Sequence, residues 1–257
     1  MKVFITGASS GIGEALAREF RRRHPDAIIG LVARRPDRLQ ALCTELGSYK
    51  TFSWALDITD REALTAAARA FMTGHGPPDV VIASAGISHG TVTGEPADAP
   101  VFERLFATNV VGTFDTFAPF VPSMCTARAG VLVGIASVAG IRGLPGGGGY
   151  SASKSAVITY LESLRVELRG SGVSVLTILP GYIRTPMTAG NRYRMPFLTD
   201  VDVFARRTVN AIEARRSYLV IPWQMGIVAG LLRMLPNALF DRLFQRAPRK
   251  ARLRADQ

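Results

Sequence analysis

The chain has 257 residues, 47% hydrophobic and 20% charged, which suffices for one substantial α/β core. Its net charge of +11 is uneven. From Arg242 onward there are six basic residues, one acid and a single aromatic, Phe244, which argues against the aromatic-laced basic patch of a nucleic-acid reader. Two cysteines (Cys43, Cys125) and three scattered histidines (His24, His75, His89) sit in no metal or redox spacing, and no apolar run nears the ~20 residues of a membrane span.

The first element is KVFIT, an apolar strand, so no secretory leader is expected. GASSGIG follows, then EALAREFRRRH, an amphipathic helix. Gly7, Gly11 and Gly13, with Ser9, Ser10 and Ile12 between them, therefore join a strand to a helix. Glycines there permit a tight turn and let backbone approach a pyrophosphate resting on the helix N-terminus. The second strand is AIIGLVARR. A carboxylate that holds a ribose 2′-hydroxyl would fall about twenty residues beyond the glycines. This chain has Ala33 there, then Arg34 and Arg35. A missing acid and an arriving arginine, Arg34, predict a 2′-phosphate and hence NADP(H); the alternative is that both arginines are solvated charges leading a helix.

TFSWALDIT is the third strand, with Asp57 and Ile58 at its end; Asp57 could equally cap the helix that begins at Asp60. PDVVIASAG is the fourth. The segment after Asp98 is long and helical, with Asn109 in its middle and Pro119 and Pro122 near its end. Asparagine is unfavourable in a helix interior unless its side chain is used. GVLVGIAS then delivers Ser137 at the edge of a buried strand, and a glycine-rich loop leads to the helix YSASKSAVITYLESLRVELR. Tyr150 and Lys154, at i and i+4, share one face of it. VSVLTILPGYIRTP is a strand running into a Pro-Gly turn, RYRMPFLTDVDVFARRTVNAIEARR a loop and helix, and SYLVIPW the seventh strand. MGIVAGLL and MLPNALFDRLF, split by Pro236, end the ordered pattern.

The glycine loop with Thr6 before it, Asn109-Val110-Val111-Gly112, and Ser137 thirteen positions ahead of Tyr150-x-x-x-Lys154 together resemble the short-chain dehydrogenase/reductase family, through about Pro222. Strand–helix alternation predicts a single Rossmann-type doubly wound parallel sheet of about seven strands, with helices on both faces. The resemblance implies residues 1–222 as an NADP(H)-binding domain. An apolar helical extension with a basic tail, 223–257, belongs to the same domain.

The resemblance makes Ser137, Tyr150, Lys154 and Asn109 the catalytic set. Asn109 holds a water beside Lys154. Tyr150 and Lys154 also touch the cofactor, Asp57 and Ile58 bracket the adenine, Ala85 and Gly86 contact it, and Pro180, Ile183 and Thr185 meet the nicotinamide carboxamide. Two positions depart from the family: Ser84 stands where Asn is usual, and Ser10 where many NADP-preferring relatives carry a base.

The implied activity interconverts a ketone or aldehyde and an alcohol, on a hydrophobic substrate and without a metal. Tyr150 gives the proton, its phenol depressed from ~10 by the neighbouring Lys154 cation; Ser137 orients the carbonyl. A homodimer or homotetramer in the cytoplasm is expected. The chain end packs on the protein or a twin subunit, or touches lipid weakly, so a location peripheral to the membrane stays open. The alternative function is a catalytically retired NADP(H)-binding regulator or membrane-surface adaptor.

Overall fold

The computed structural model describes residues 1–191, 194–247, 250 and 252. In chain order the elements are β1 (Lys2–Thr6), α1 (Gly11–Arg23), β2 (Ile28–Ala33), α2 (Pro36–Leu46), β3 (Thr51–Ala55), α3 (Arg61–His75) and β4 (Val80–Ala83). There follow α4 (Ala99–Phe106), α5 (Gly112–Phe117), α6 (Val121–Ala127), β5 (Gly130–Ile135), α7 (Gly148–Glu167) and β6 (Val173–Pro180). The last are β7 (Ile183–Arg184), α8 (Pro186–Ala189), β8 (Thr199–Asp200), α9 (Val201–Glu213), β9 (Tyr218–Ile221), α10 (Trp223–Met234) and α11 (Asn237–Phe244).

Seven strands form one parallel sheet in the order β3-β2-β1-β4-β5-β6-β9. The order reverses beside β1, between β2 and β4, and the crevice at the strand C-termini there is where doubly wound sheets take ligands. Alternate residues of each strand face opposite sides. Val3 and Ile5 join α1, α2 and α9 in one core, while Phe4 joins α3, α5, α6 and α7 in the other. Phe4 is fully buried and its ring lies 5.5 Å from Phe71 and 4.8 Å from Phe120. Gly30, on the neighbouring strand, leaves room for this cluster: a Cβ there would stand 2.8 Å from both Phe4 and Phe71.

All seven expected strands form. The third ends earlier than the sequence suggests, at Ala55, so Asp57 and Ile58 lie in the loop beyond it. The long helix after Asp98 is interrupted. A π-helical turn, Ala107–Val111, separates α4 from α5, and α5 stops ahead of Pro119, which has no N–H to continue it. The small pair β7–β8 is not foreshadowed by the sequence; it flanks the loop that carries α8.

Phe4→Ala removes a ring from this fully packed cluster and should destabilise the fold by roughly 3–5 kcal/mol. Urea titration checks this, and a loss under about 1 kcal/mol would show that the cluster is not central to the core.

Candidate active site

The cradle at the end of β1 is built from close backbone approaches. Gly7 and Gly11 have φ of 72° and 61°, in the region that favours glycine. A Cβ on Gly7 would lie 2.7 Å from the Ala85 backbone, and one on Gly13 would lie 2.5 Å from the Gly7 carbonyl oxygen. The loop is thereby pressed onto both α1 and the chain leaving β4. The first-turn N–H groups of the thirteen-residue α1 stay free to meet an anion.

Gly7, Ser9, Ser10, Gly11, Ile12 and Gly13 all border one cavity of about 250 Å³. So do Arg34, Asp57, Ile58, Ala85, Gly86, Ser137, Tyr150, Lys154, Pro180, Ile183 and Thr185. Asn109 does not, although its neighbour Thr108 does.

At the far end of this cavity the two arginines differ. Arg34 is half-exposed and stands 3.6 Å from Asp57. Arg35 folds back over the glycine loop, donating to the Ser10 hydroxyl at 2.7 Å and to Ser9 at 3.0 Å. Sequence reasoning put Arg34 forward and left Arg35 out of the site. Arg35 brings positive charge onto the serine loop from the next strand, offsetting the absence of a base at position 10. Asp57 does not cap α3; that helix is capped by Asp60, which accepts from the Ala63 N–H. Burial pushes the Asp57 carboxyl up, but bonds from the Thr59 N–H and hydroxyl, with Arg34 beside it, hold it below its ordinary value.

Ser137 follows β5, Tyr150 lies on the first turn of α7 and Lys154 on the second. The loop between them turns tightly against the helix: a Cβ on Gly140 would meet the Lys154 backbone at 2.7 Å. Lys154, buried, donates to the Ile135 carbonyl at 2.8 Å. The Tyr150 hydroxyl faces Ser137 and also Ser88, a residue the sequence gave no cue to choose, and both act to lower its phenol.

Asn109, fully buried in the π-helical turn, uses its amide on three partners. It accepts from the Ile87 N–H at 2.9 Å and donates to the Ile87 carbonyl at 3.1 Å and the Ser153 hydroxyl at 3.0 Å. It thus ties the chain beyond β4 to α7. Its Oδ1 and the Lys154 Nζ converge on Gly86, at 3.1 and 3.5 Å from where a Cβ would project.

The electrostatics differ from the expectation. Burial raises the Tyr150 phenol above its ordinary value, outweighing the hydrogen bonds from Ser137 and Ser88 that act to lower it. Burial also lowers Lys154 to about 8. The predicted depression of the phenol by Lys154 is not the net result, because both groups are withdrawn from water and the ammonium is engaged by the Ile135 carbonyl.

A second cavity, of about 610 Å³, meets the first at Ser137, Tyr150, Gly181, Met187 and Thr188. Its walls are mostly apolar, from Leu144 and Pro145 through Met225, Val228 and Leu232 of α10 to Phe244. The loop after Thr185 contributes Met187, Thr188 and Asn191, and the chain end contributes Lys250. The described residues of the tail, Lys250 and Arg252, lie against the protein, in line with a chain end that packs on it. Arg252 pairs with Asp98 at 2.9 Å and forms a β-bridge with Gly90, and Lys250 borders the cavity. Arg249 and Arg254 lie outside the described residues.

Comparison with known proteins agrees with this architecture. The family model described as short chain dehydrogenase matches residues 1–195. An oxidoreductase of Myxococcus xanthus is 36% identical over 92% of this chain and 93% of its own length. The human short-chain dehydrogenase/reductase 3 is 31% identical over 94% of this chain and 81% of its own. An alcohol dehydrogenase from the archaeon Thermococcus sibiricus, solved in complex with 5-hydroxy-NADP, superposes with a TM-score of 0.76 at 25% identity, covering 85% of this chain and 94% of that one. The chain belongs to the short-chain dehydrogenase/reductase family of nicotinamide-dependent oxidoreductases.

Proposed function

We propose that the protein is an NADP(H)-dependent oxidoreductase that interconverts a ketone or aldehyde with an alcohol on a hydrophobic substrate. The observation that carries this reading is the Tyr150 hydroxyl, which stands where the two cavities meet with Ser137 beside it. Asn109, Ser137, Tyr150 and Lys154 form the catalytic set.

The glycine cradle, the N-terminus of α1, and Arg34 and Arg35 fit a dinucleotide with a 2′-phosphate, and the NADP analogue in the archaeal relative supports that choice. Asp57 and Ile58 would flank its adenine, Ala85 and Gly86 its ribose side, and Pro180, Ile183 and Thr185 its nicotinamide end. Bound there, the cofactor supplies or accepts the hydride. Ser137 donates a hydrogen bond to the carbonyl oxygen and fixes its direction. Tyr150, kept protonated at neutral pH by burial, gives its proton to the alkoxide as charge develops. Lys154 then stabilises the phenolate that remains.

Three further expectations belong to this reading. The apolar surface residues Phe102 on α4, Phe114 on α5 and Val166 on α7 suit a homo-oligomer contact. Residues 223–257 are treated as part of the same domain, since α10 packs on β9 and on the turn after Ser137. Trp223, Ile227, Leu231 and Met234 make an exposed stripe along α10, with Arg233 beside it; this supports weak contact of a cytoplasmic protein with an anionic membrane surface.

Tyr150→Phe should fold and bind NADPH while losing about 10²- to 10⁴-fold in kcat. Activity within threefold of the parent would remove Tyr150 as the acid and reopen the reading of a retired regulator. For the cofactor, kcat/KM should favour NADPH over NADH, and Arg34→Ala and Arg35→Ala should each cut that ratio by about tenfold or more. An unchanged ratio in both variants refutes the assignment.

The buried Lys154 also bears on stability. Its folded value of about 8 lies below the ordinary 10.5. The unfolded chain therefore holds more protons between those values, and stability rises with pH across that window. At pH 7 burial of the charge costs on the order of 3 kcal/mol, partly offset by the bond to Ile135. Lys154→Met should lose activity yet raise the melting temperature at pH 7 by roughly 3–6 °C, a gain that shrinks towards pH 10. A lower melting temperature at pH 7 would contradict this.

A further inference from the structure

Among the described residues, Lys250 is a partly buried cation with no acid paired to it. Its ammonium lies 4.4 Å from the centre of the Tyr150 ring and donates to the Ser88 hydroxyl. Among the described residues bordering the larger cavity there is no Asp or Glu, while Lys250, Arg142 and Arg194 all border it. Arg142 is already engaged. It donates to the carbonyls of Leu232 and Leu235 at 2.7 Å, and its guanidinium covers the Phe240 ring. Among the described residues Lys250 meets only the Ser88 hydroxyl and the Tyr150 ring face, and burial lowers it to about 8.

The position of Lys250 is fixed by its neighbour. Arg252, two residues on, pairs with the buried Asp98 at 2.9 Å and with Glu95 at 3.4 Å, and bridges to Gly90. Asp98 in turn accepts from the Val92 N–H at 2.7 Å. The chain end is thus fastened to the loop that carries Ser88. Ser88 accepts from Lys250, whose ammonium stands over the Tyr150 ring 4.4 Å from its centre, which puts the cation beside the proton donor.

We infer that Lys250 is a specificity-determining residue that binds the carboxylate of an oxo acid. The carboxylate is one or two bonds from the carbonyl, and the apolar tail of the acid lies along α10. This rests on the reductase reading for the identity of the reacting carbonyl. The spacing sets the class: a carbonyl oxygen at Tyr150 and Ser137 leaves an adjoining carboxylate at the Lys250 ammonium, as in a 2-oxo or 3-oxo acid. Met225, Val228 and Leu232 then receive the tail. A cation left in an acid-free apolar cleft is costly, and an anionic head group that shares the burial relieves that cost.

The test compares 2-oxooctanoate with its methyl ester on the full chain, by calorimetric binding in the presence of NADP⁺ and by NADPH oxidation. The parent should favour the acid by about ten- to a hundredfold in Kd and in KM. Lys250→Met should collapse that ratio and Lys250→Arg should keep most of it. Equal binding of acid and ester by the parent, or an unchanged ratio in Lys250→Met, overturns the proposal. The parent ratio is a test that needs no substitution to fold. Preferential binding of the acid without oxidation of NADPH upholds the carboxylate site and sinks the reductase reading instead.

Discussion

The bond from the buried Lys154 ammonium to the Ile135 carbonyl is the constraint around which the site is assembled. It joins the last residue of β5 to the second turn of α7, on the side of the sheet where the strand order reverses. The Gly140 backbone can then press against that of Lys154, which swings the intervening loop over and leaves Ser137 beside Tyr150. A charge held there is unfavourable to folding. Among the described residues no carboxylate pairs with it to lessen the burden. The large cores on both faces of the sheet carry that cost.

Two cavities meeting at one hydroxyl divide the work by chemistry. The smaller is formed largely by backbone and glycine at strand ends, so its shape follows from the sheet itself and from close approaches that admit no side chain. The larger is formed by side chains from the loop after β6, from α10 and from the chain end. Segments of that kind can change without disturbing the sheet, whereas the strand ends cannot. Tyr150 belongs to both because its helix starts where the two meet.

What was legible in the sequence follows the same division. The seven strands could be read because apolar runs alternate with amphipathic helices, and the cradle because Gly7, Gly11 and Gly13 fall between a strand and a helix. Ser137, Tyr150 and Lys154 could be read from spacing. Arg35 could not be placed on the loop, because its reach to Ser9 and Ser10 depends on the parallel pairing of β1 with β2. The π-helical turn at Asn109 was hidden by sequence that suits an ordinary helix. Its cause is the contact of the asparagine with Ile87 and Ser153, which are far away in the chain. Ser88 and Lys250 gave no signal, since a serine after a strand and a lysine in a basic tail are common surface residues. The raised phenol was misjudged for a related reason: spacing shows that a lysine is near but not how deeply both groups are buried.

The fastening of the tail explains how a chain of net charge +11 keeps a basic segment against its own surface. Burial pushes the Asp98 carboxyl up, but the Val92 N–H and Arg252 hold it below its ordinary value. A depressed carboxylate contributes stability above its unfolded value and loses it as pH falls through the folded one. The tail is therefore held at neutral pH by a group that is itself fixed in the loop ahead of α4. Beyond that pair the attachment rests on a half-exposed bond to Glu95 and the contacts of Lys250, which are modest. An element that is specific in its contacts yet weakly held suits the mouth of a substrate cleft, because it can recognise a ligand without trapping the product.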